Sequence, residues 1–279
     1  FSYLSQGSAQ ANFGPSYLKQ MYYPIPPLEE QNKTAEILIS VDENIEKTEA
    51  VIEQTENVKK GLMRKLLTEG IGHSAFKHTE IGKIPAQWKV VKVEDVCEIL
   101  DGLRKPIKKA ERDHIHGDVP YYGASGIIDW VNDYLFDEPL ILLAEDGENL
   151  RSRVLPVAFQ IKGKAWVNNH AHILRPGKHI NMDYLELYLD FIDYEKYITG
   201  SAQPKLNQKA ARNILIAYPE MKEQIKIATA FSRIKNKLNK EQETLAKLRT
   251  LKKGLMQVLL TGKVRVNMNE KAGKAAEVK

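Results

Sequence analysis

A basic segment after Gly102 contains the residues whose chemistry best suits an anionic ligand. Five cations lie in it: Arg104, Lys105, Lys108, Lys109 and Arg112. Exposed lysine and arginine side chains can contact the phosphates of a nucleic acid. An ordinary solvent-facing loop is the alternative, because runs of charge commonly serve only solubility. The segment is therefore the first candidate for phosphate contact.

A second polar segment follows an apolar run and the turn at Asp146-Gly147. It has the sequence ENLRSR and contains Asn149, Arg151, Ser152 and Arg153. Loops in such positions present side chains to ligands. Arginine can form two hydrogen bonds with guanine, and asparagine can do so with adenine. These side chains are candidates for base contacts.

Two smaller groups have polar side chains next to turns. In the first, Tyr121 and Tyr122 are expected to pack, whereas Ser125, between Gly123 and Gly126, is the better candidate for a contact. The second precedes the last predicted strand and consists of Gln203, Lys205 and Asn207. A polar turn without a ligand is the competing explanation for the second group.

Two His-x-His pairs raise the question of a metal. His114 and His116 form one pair, and His170 and His172 form the other. Alternation along a strand would place both rings of a pair on one face, and four imidazoles could bind zinc. Nothing in the sequence brings the pairs together, so we expect no metal site.

Catalytic signatures are missing from the sequence. No glycine-rich fingerprint follows a predicted strand, no phosphate-binding GxxxxGK[ST] occurs, and Ile25-Pro-Pro-Leu28 lacks the polar and aromatic residues of an adenine methyltransferase loop. We therefore expect a protein without catalysis or a cofactor of its own. A small enzyme that uses the histidine pairs is the least favoured alternative.

Composition sets broad limits. The 279 residues carry a net charge of +5, which suits an acidic partner without proving one. The single cysteine, Cys97, excludes an internal disulfide and favours a reducing cytoplasm. No apolar run is long enough to span a membrane.

The sequence contains a segment that occurs twice. Lys59–Thr68 reads KKGLMRKLLT, and Lys252–Thr261 reads KKGLMQVLLT. The same offset aligns Gly7–Gln10 with Gly200–Gln203 and also aligns further identical pairs, among them Pro26 with Pro219, Glu30 with Glu223, and Gln31 with Gln224. The chain therefore contains a domain-scale duplication.

Each copy predicts a long helix that begins after a proline and carries a seam of mostly apolar residues spaced by three or four positions. The apolar stripe runs from Leu38 to Leu62 in the first helix and from Phe231 to Leu255 in the second. The first helix is net acidic and the second net basic, which favours their pairing with each other, and we expect an antiparallel coiled coil. We expect Gly61 and Gly254 to allow close approach of the two backbones.

The segment between the helices predicts an α+β domain of mixed strands and short helices. Leu140–Ala144 and Ile214–Tyr218 read as buried strands, and Asn181–Ile198 has helical spacing.

The order of motifs across this segment resembles the specificity subunit of type I restriction-modification enzymes. The motifs are Gly82-x-x-Pro85-x-x-Trp88, Pro120-Tyr-Tyr-Gly-Ala-Ser-Gly126, Trp166-Val-Asn-Asn-His170, Gly200-Ser-Ala-Gln-Pro204 and Pro219-x-x-x-Glu223-Gln224. The resemblance implies that each target recognition domain reads one half of a split DNA target, while the helices fix the gap. Asn168, Asn169 and His170 are expected to lie near the DNA face. The resemblance also implies methyltransferase and restriction subunits as partners, with S-adenosylmethionine, ATP and Mg²⁺ bound only by those partners.

The resemblance predicts five segments. They are the tail of a first recognition domain (1–27), a spacer helix (28–72), a complete recognition domain (73–218), a second spacer helix (219–262) and a disordered polar tail (263–279). Most of the first recognition domain is absent, so we expect either a piece of a longer subunit or a half-length subunit that self-associates. A coiled-coil adaptor that binds protein is the alternative from another class.

Overall fold

The computed structural model describes residue 22, residues 24–200 and residues 203–266. Residues 1–21, 23, 201–202 and 267–279 lie outside this range, and with them most of the predicted first-domain tail and of the polar tail. The chain divides into two compact units. One comprises Phe1–Glu56 with Lys237–Lys279, and the other comprises Asn57–Asn236.

Two long helices contribute to both units: α1 (Leu28–Thr68) and α7 (Met221–Leu259). Both are rich in good helix formers and contain no proline, so nothing interrupts them. In the described part of the chain, no helix is long and apolar enough to cross a membrane.

The first unit contains the antiparallel helix pair that the sequence predicts. Three ion pairs join its two chain segments: Glu30 with Arg265, Asp42 with Lys252, and Glu49 with Arg249. The partner's number falls as the first number rises, so the segments run in opposite directions. Apolar packing accompanies the charges, since Val41 and Leu238 are both buried.

The prediction that Gly61 and Gly254 allow close approach of the two helix backbones is wrong. Gly61 and Gly254 both lie inside helices, but a Cβ added at either position would meet no described atom within 4 Å. Within the described part of the chain, no backbone approaches close enough to require glycine at either position.

The second unit is the α+β domain that the sequence predicts. Its described residues form the strands β1 (Phe76–Thr79), β2 (Gly82–Pro85), β3 (Lys89–Lys92), β4 (Cys97–Ile99), β5 (Val119–Gly123), β6 (Gly126–Val131), β7 (Phe136–Asp137), β8 (Leu140–Ala144), β9 (Ala158–Ile161), β10 (Lys164–Val167), β11 (Ala171–Pro176) and β12 (Leu215–Tyr218). Its short helices are α2 (Val93–Val96), α3 (Lys109–Arg112), α4 (Asn149–Ser152), α5 (Met182–Phe191) and α6 (Gln208–Arg212).

The described strands form four sheets. Two have four strands each, in the orders β6-β5-β10-β7 and β4-β11-β8-β9, and two are pairs, β1-β2 and β12-β3. Only β10 and β5 pair in parallel among these strands.

Strand β8 lies between two apolar clusters. Its residues are fully buried, and alternate side chains enter different clusters: Ile141 and Leu143 enter one, and Leu140 and Leu142 enter the other. A strand buried on both faces needs a continuous apolar sequence, and LILLA supplies it. Side chains of α5 belong to the first cluster. Two predicted elements differ slightly in length: α5 is shorter than the predicted helical segment Asn181–Ile198, and β12 begins one residue after the predicted start at Ile214.

Candidate nucleic-acid interface

Several loops of the second unit meet at one end of the strands in the sheet β4-β11-β8-β9. Strand β8 ends at Ala144, which pairs with Ala171 at the start of β11, and β4 is followed by the turn at Asp101. We call this region the loop junction. It comprises Asp101–Arg104, Glu145–Gly147, Asn168–His170 and Gln203–Leu206.

Backbone hydrogen bonds join three of these loops. The Glu145 N–H donates to the His170 carbonyl at 2.9 Å, the Leu206 N–H donates to the Glu145 carbonyl at 2.7 Å, and the Gly147 N–H donates to the Pro204 carbonyl at 3.1 Å. The main chain therefore fixes the loops to one another.

A buried His172–Asp101 pair lies beneath the junction. Nδ1 of His172 is 2.6 Å from Asp101 Oδ2, and Nε2 of His172 is 2.7 Å from the Leu206 carbonyl oxygen. Both ring nitrogens therefore lie within hydrogen-bond distance of an oxygen atom. The buried side chain therefore links the first loop to the last.

Asp101 stays ionised within this network. Burial works against its charge, but the hydrogen bond and positive charge of His172, the Ile173 N–H and the charge of Arg104 together lower the pKa of Asp101 below its ordinary value.

Arg104 completes the network. Its guanidinium Nη1 is 2.5 Å from Glu145 Oε2 and donates to the Ala171 carbonyl at 2.9 Å. Asp101, Glu145 and His172 have ligand-type atoms within 4.8 Å of one another. However, the guanidinium already neutralises the carboxylates and His172 has no free nitrogen, so these donors do not fit a metal ion.

The two histidine pairs therefore do not share one role. His172 is committed to the buried network, whereas His114 and His116 are exposed. The expectation of no zinc site stays a prediction.

The basic segment is an ordered loop. The Tyr121 hydroxyl accepts a hydrogen bond from the Ile107 N–H at 3.0 Å, and the Trp166 indole donates to the Lys105 carbonyl at 2.6 Å. Arg112 donates to the Ile107 carbonyl at 2.7 Å. These bonds tie the loop to β5, β10 and α3, while Lys105, Lys108 and Lys109 remain exposed.

Arg112 differs from those lysines. Its Nε is 2.6 Å from Asp129 Oδ2, and its guanidinium lies 4.9 Å from the centre of the Tyr121 ring. The hydrogen bond from Arg112 lowers the pKa of Asp129. Arg104 and Arg112 thus hold the loop structure, and phosphate contact by either stays a prediction.

In the loop that contains α4, three of the four predicted base-reading residues make contacts within the domain. Asn149 exchanges two hydrogen bonds with the Leu155 backbone, at 2.9 and 3.0 Å. Arg153 has a φ of 53°, and its guanidinium donates to the Asp190 and Phe191 carbonyls at 2.6 and 3.1 Å. Arg151 pairs with Glu195 at 3.1 Å. Ser152 is exposed, and base contact by all four stays a prediction.

The remaining candidates lie on the surface. Ser125 is exposed in the turn between β5 and β6, and Asn169, His170, Gln203 and Lys205 are exposed within the loop junction. Asn207 caps α6 by accepting the Ala210 N–H. Sequence reasoning missed Asp101, Glu145 and Asp146, whose only sequence signal is their position at strand ends.

Comparison with known proteins agrees with this architecture. The family described as the type I restriction modification DNA specificity domain matches residues 1–57 and 85–249. The type I restriction enzyme MjaVIII specificity subunit of Methanocaldococcus jannaschii is 30% identical over 274 residues, covering 88% of this chain and 63% of that protein. The putative MjaX specificity subunit of the same organism is 28% identical, covering 95% of this chain and 65% of that protein. The chain therefore spans less than two thirds of the length of these relatives.

A solved structure shows the same fold. The S subunit of a type I restriction-modification system from M. genitalium superposes with a TM-score of 0.61 and 18% identity, over 92% of this chain and 68% of that one.

Proposed function

The chain belongs to the type I restriction modification DNA specificity domain family, and we propose that it reads one half of a bipartite sequence in duplex DNA. Its second unit would be the complete recognition domain, and the paired helices would be the family's spacer. On this proposal the chain is not catalytic and works in the cytoplasm.

The partners are part of the same proposal. Methyltransferase subunits would bring S-adenosylmethionine, and restriction subunits would bring ATP and Mg²⁺. The relatives are specificity subunits of type I restriction enzymes, and this supports the proposal.

The anchored basic loop is the observation that best supports DNA binding. Tyr121, Trp166 and Arg112 hold its main chain, so Lys105, Lys108 and Lys109 project from a fixed position. An ordered loop loses less conformational entropy on binding than a mobile loop. A loop kept basic only for solubility would not need three side-chain anchors.

Salt-dependent binding of duplex DNA tests the proposal. The chain assembled with its methyltransferase should lose affinity as salt rises, with a log–log slope of about −0.9 for each phosphate contact. Replacing Lys108 and Lys109 with alanine should weaken binding to every sequence equally. It should also make the slope shallower by about 2, one for each lysine.

Lys178→Ala is the matched control. Lys178 is also exposed, but it follows β11 at the end opposite the loop junction. The control should leave affinity and slope unchanged. Affinity that is independent of salt and of sequence would refute the proposed function. The same series with Arg151→Ala and Arg153→Ala tests whether these arginines read bases.

A further inference from the structure

His170 is an exposed side chain on a fixed backbone. Its N–H donates to Asn168 Oδ1 at 2.8 Å, and its carbonyl accepts from the Glu145 N–H at 2.9 Å. Asn168 is itself buried and is tied to β5, because its N–H donates to the Tyr122 carbonyl at 3.0 Å. The position of the imidazole thus follows from the ordered core.

Asp146 fixes the orientation of this ring. Its Oδ2 is 2.8 Å from His170 Nδ1, and its main chain forms a β-bridge with Lys205. The Asp146 side chain is 19% exposed and that of His170 is 50% exposed, so the pair lies at the surface with the carboxylate on the inner side. A carboxylate can only accept, so Nδ1 must carry the hydrogen.

The other ring nitrogen is left for a ligand. Nε2 of His170 has no hydrogen-bond partner among the described residues, unlike Nε2 of His172. In the neutral ring with hydrogen on Nδ1, Nε2 is an acceptor. In the major groove, the exocyclic amines of adenine and cytosine are the base donors that an acceptor can read.

We propose that His170 and Asp146 form a base-reading pair, in which His170 Nε2 accepts a hydrogen bond from the exocyclic amine of an adenine or cytosine. Asp146 is a positioning residue, because it acts on the DNA only through the tautomer and orientation of His170. This inference rests on the proposed DNA-binding function and assigns one contact within it.

The neighbouring charges are compatible with this assignment. Lys205 Nζ lies 3.4 Å from Glu145 Oε1, and Arg104 is bonded to the other oxygen of the same carboxylate. Glu145 is thus neutralised by other cations, which leaves Asp146 as the carboxylate that contacts His170.

Nitrogen NMR tests the positioning step without DNA. In the chain labelled with ¹⁵N-histidine and held above the ordinary pKa of histidine, long-range ¹H–¹⁵N correlation should show the His170 hydrogen on Nδ1 and not on Nε2. The signal is assigned by its loss in His170→Asn. Asp146→Ala should shift the ring toward the Nε2-protonated form, whereas Asp133→Ala should not. Asp133 is a suitable control because, among the residues that the structure describes, its exposed carboxylate bonds only to the adjacent Tyr134 N–H. A doubly protonated ring, or one unchanged by Asp146→Ala, would overturn the proposal.

Base substitution tests the reading step. His170→Asn keeps a donor close to the position of Nδ1 and removes the Nε2 position. In the complex with methyltransferase, it should reduce discrimination at one adenine or cytosine by about 10- to 100-fold. Discrimination at the other positions should remain. Duplexes in which that base lacks its exocyclic amine should bind wild type and variant equally.

The outcomes separate this inference from the function on which it rests. A uniform loss of affinity on all sequences would identify a phosphate contact and overturn base reading, while DNA binding by the chain would stand. Failure of the wild-type complex to bind any sequence selectively would overturn both. If Asp146→Ala does not fold, His170→Asn still decides the reading step.

Discussion

Glu223 offers the sharpest test of how the second unit is assembled. Its carboxylate accepts hydrogen bonds from the Ile71 N–H at 2.8 Å and the Trp88 indole at 2.9 Å, and it lies 2.8 Å from His73 Nε2. The side chain is only 16% exposed. It therefore joins the first turn of α7 to the chain that follows α1 and to the tryptophan before β3.

The cost of Glu223→Ala can be worked from these contacts. Trp88 is 1% exposed, so its indole N–H would lose its acceptor inside the core, at a cost of about 1–3 kcal/mol. Water can replace the carboxylate at Ile71, which is exposed, so that bond adds little. With the lost contact to His73, the total should be about 2–4 kcal/mol, because bonds to one group do not add fully. Glu223→Gln keeps an acceptor oxygen and should cost about half as much.

Urea denaturation followed by near-ultraviolet circular dichroism of tryptophan would measure the effect. Glu220→Ala is the control, since this exposed residue lies just before the same helix, and it should change stability by less than about 0.5 kcal/mol. If Glu223→Ala cost no more than Glu220→Ala, the three contacts would not hold the unit together, and the reasoning would be refuted.

Two further predictions concern stability. Gly61→Ala should stabilise by about 1 kcal/mol in thermal or urea denaturation, because the site is helical and open; Gly70→Ala should destabilise, since φ is +67° and the new Cβ would lie 2.7 Å from Trp88. Equal effects of the two changes would contradict this. Burial raises the pKa of Glu186 in the folded protein, so the folded state favours its protonated form. The stability that this form contributes is complete below the unfolded pKa of the group and is lost as pH rises through the folded pKa. Glu186→Gln should therefore stabilise at neutral pH and flatten the profile as pH rises above the ordinary pKa of a glutamate, measured by denaturation at several pH values; an unchanged profile would contradict this.

The repeat could be predicted in detail because it depends on residues that are close together in the sequence. A proline precedes the start of each long helix, and a glutamine in the first turns bonds back to it. Identical residues at one offset therefore form identical local hydrogen bonds. Gln31 donates to the Pro26 carbonyl at 2.7 Å, and Gln224 donates to the Pro219 carbonyl at 2.8 Å. Helix pairing was predictable for a similar reason, since opposite net charge and apolar spacing are properties of each segment.

Contacts between distant residues could not be predicted in this way. Glu223 and Trp88 are far apart in the sequence, and nothing in either local sequence identifies its partner. Gly61 was misread because helical glycine often marks a close contact, but at this position it marks none. The α+β class followed from strand and helix patterns, whereas the loop junction depends on which strand ends meet.

The loop junction shows why residue type alone is a poor guide to a reading surface. Arginine is long and carries several donors, so it can serve carbonyl groups within its own domain as well as bases outside it. Arg153 does the former at the end of α5. Histidine differs because its two nitrogens are separable, and one internal bond leaves the other for a ligand. In the pair at the start of β11, His172 lies in the strand and uses both nitrogens internally, whereas His170 lies just before the strand and uses one. A sequence-reading contact is therefore better sought by counting unused donors and acceptors on fixed side chains than by counting positive charges.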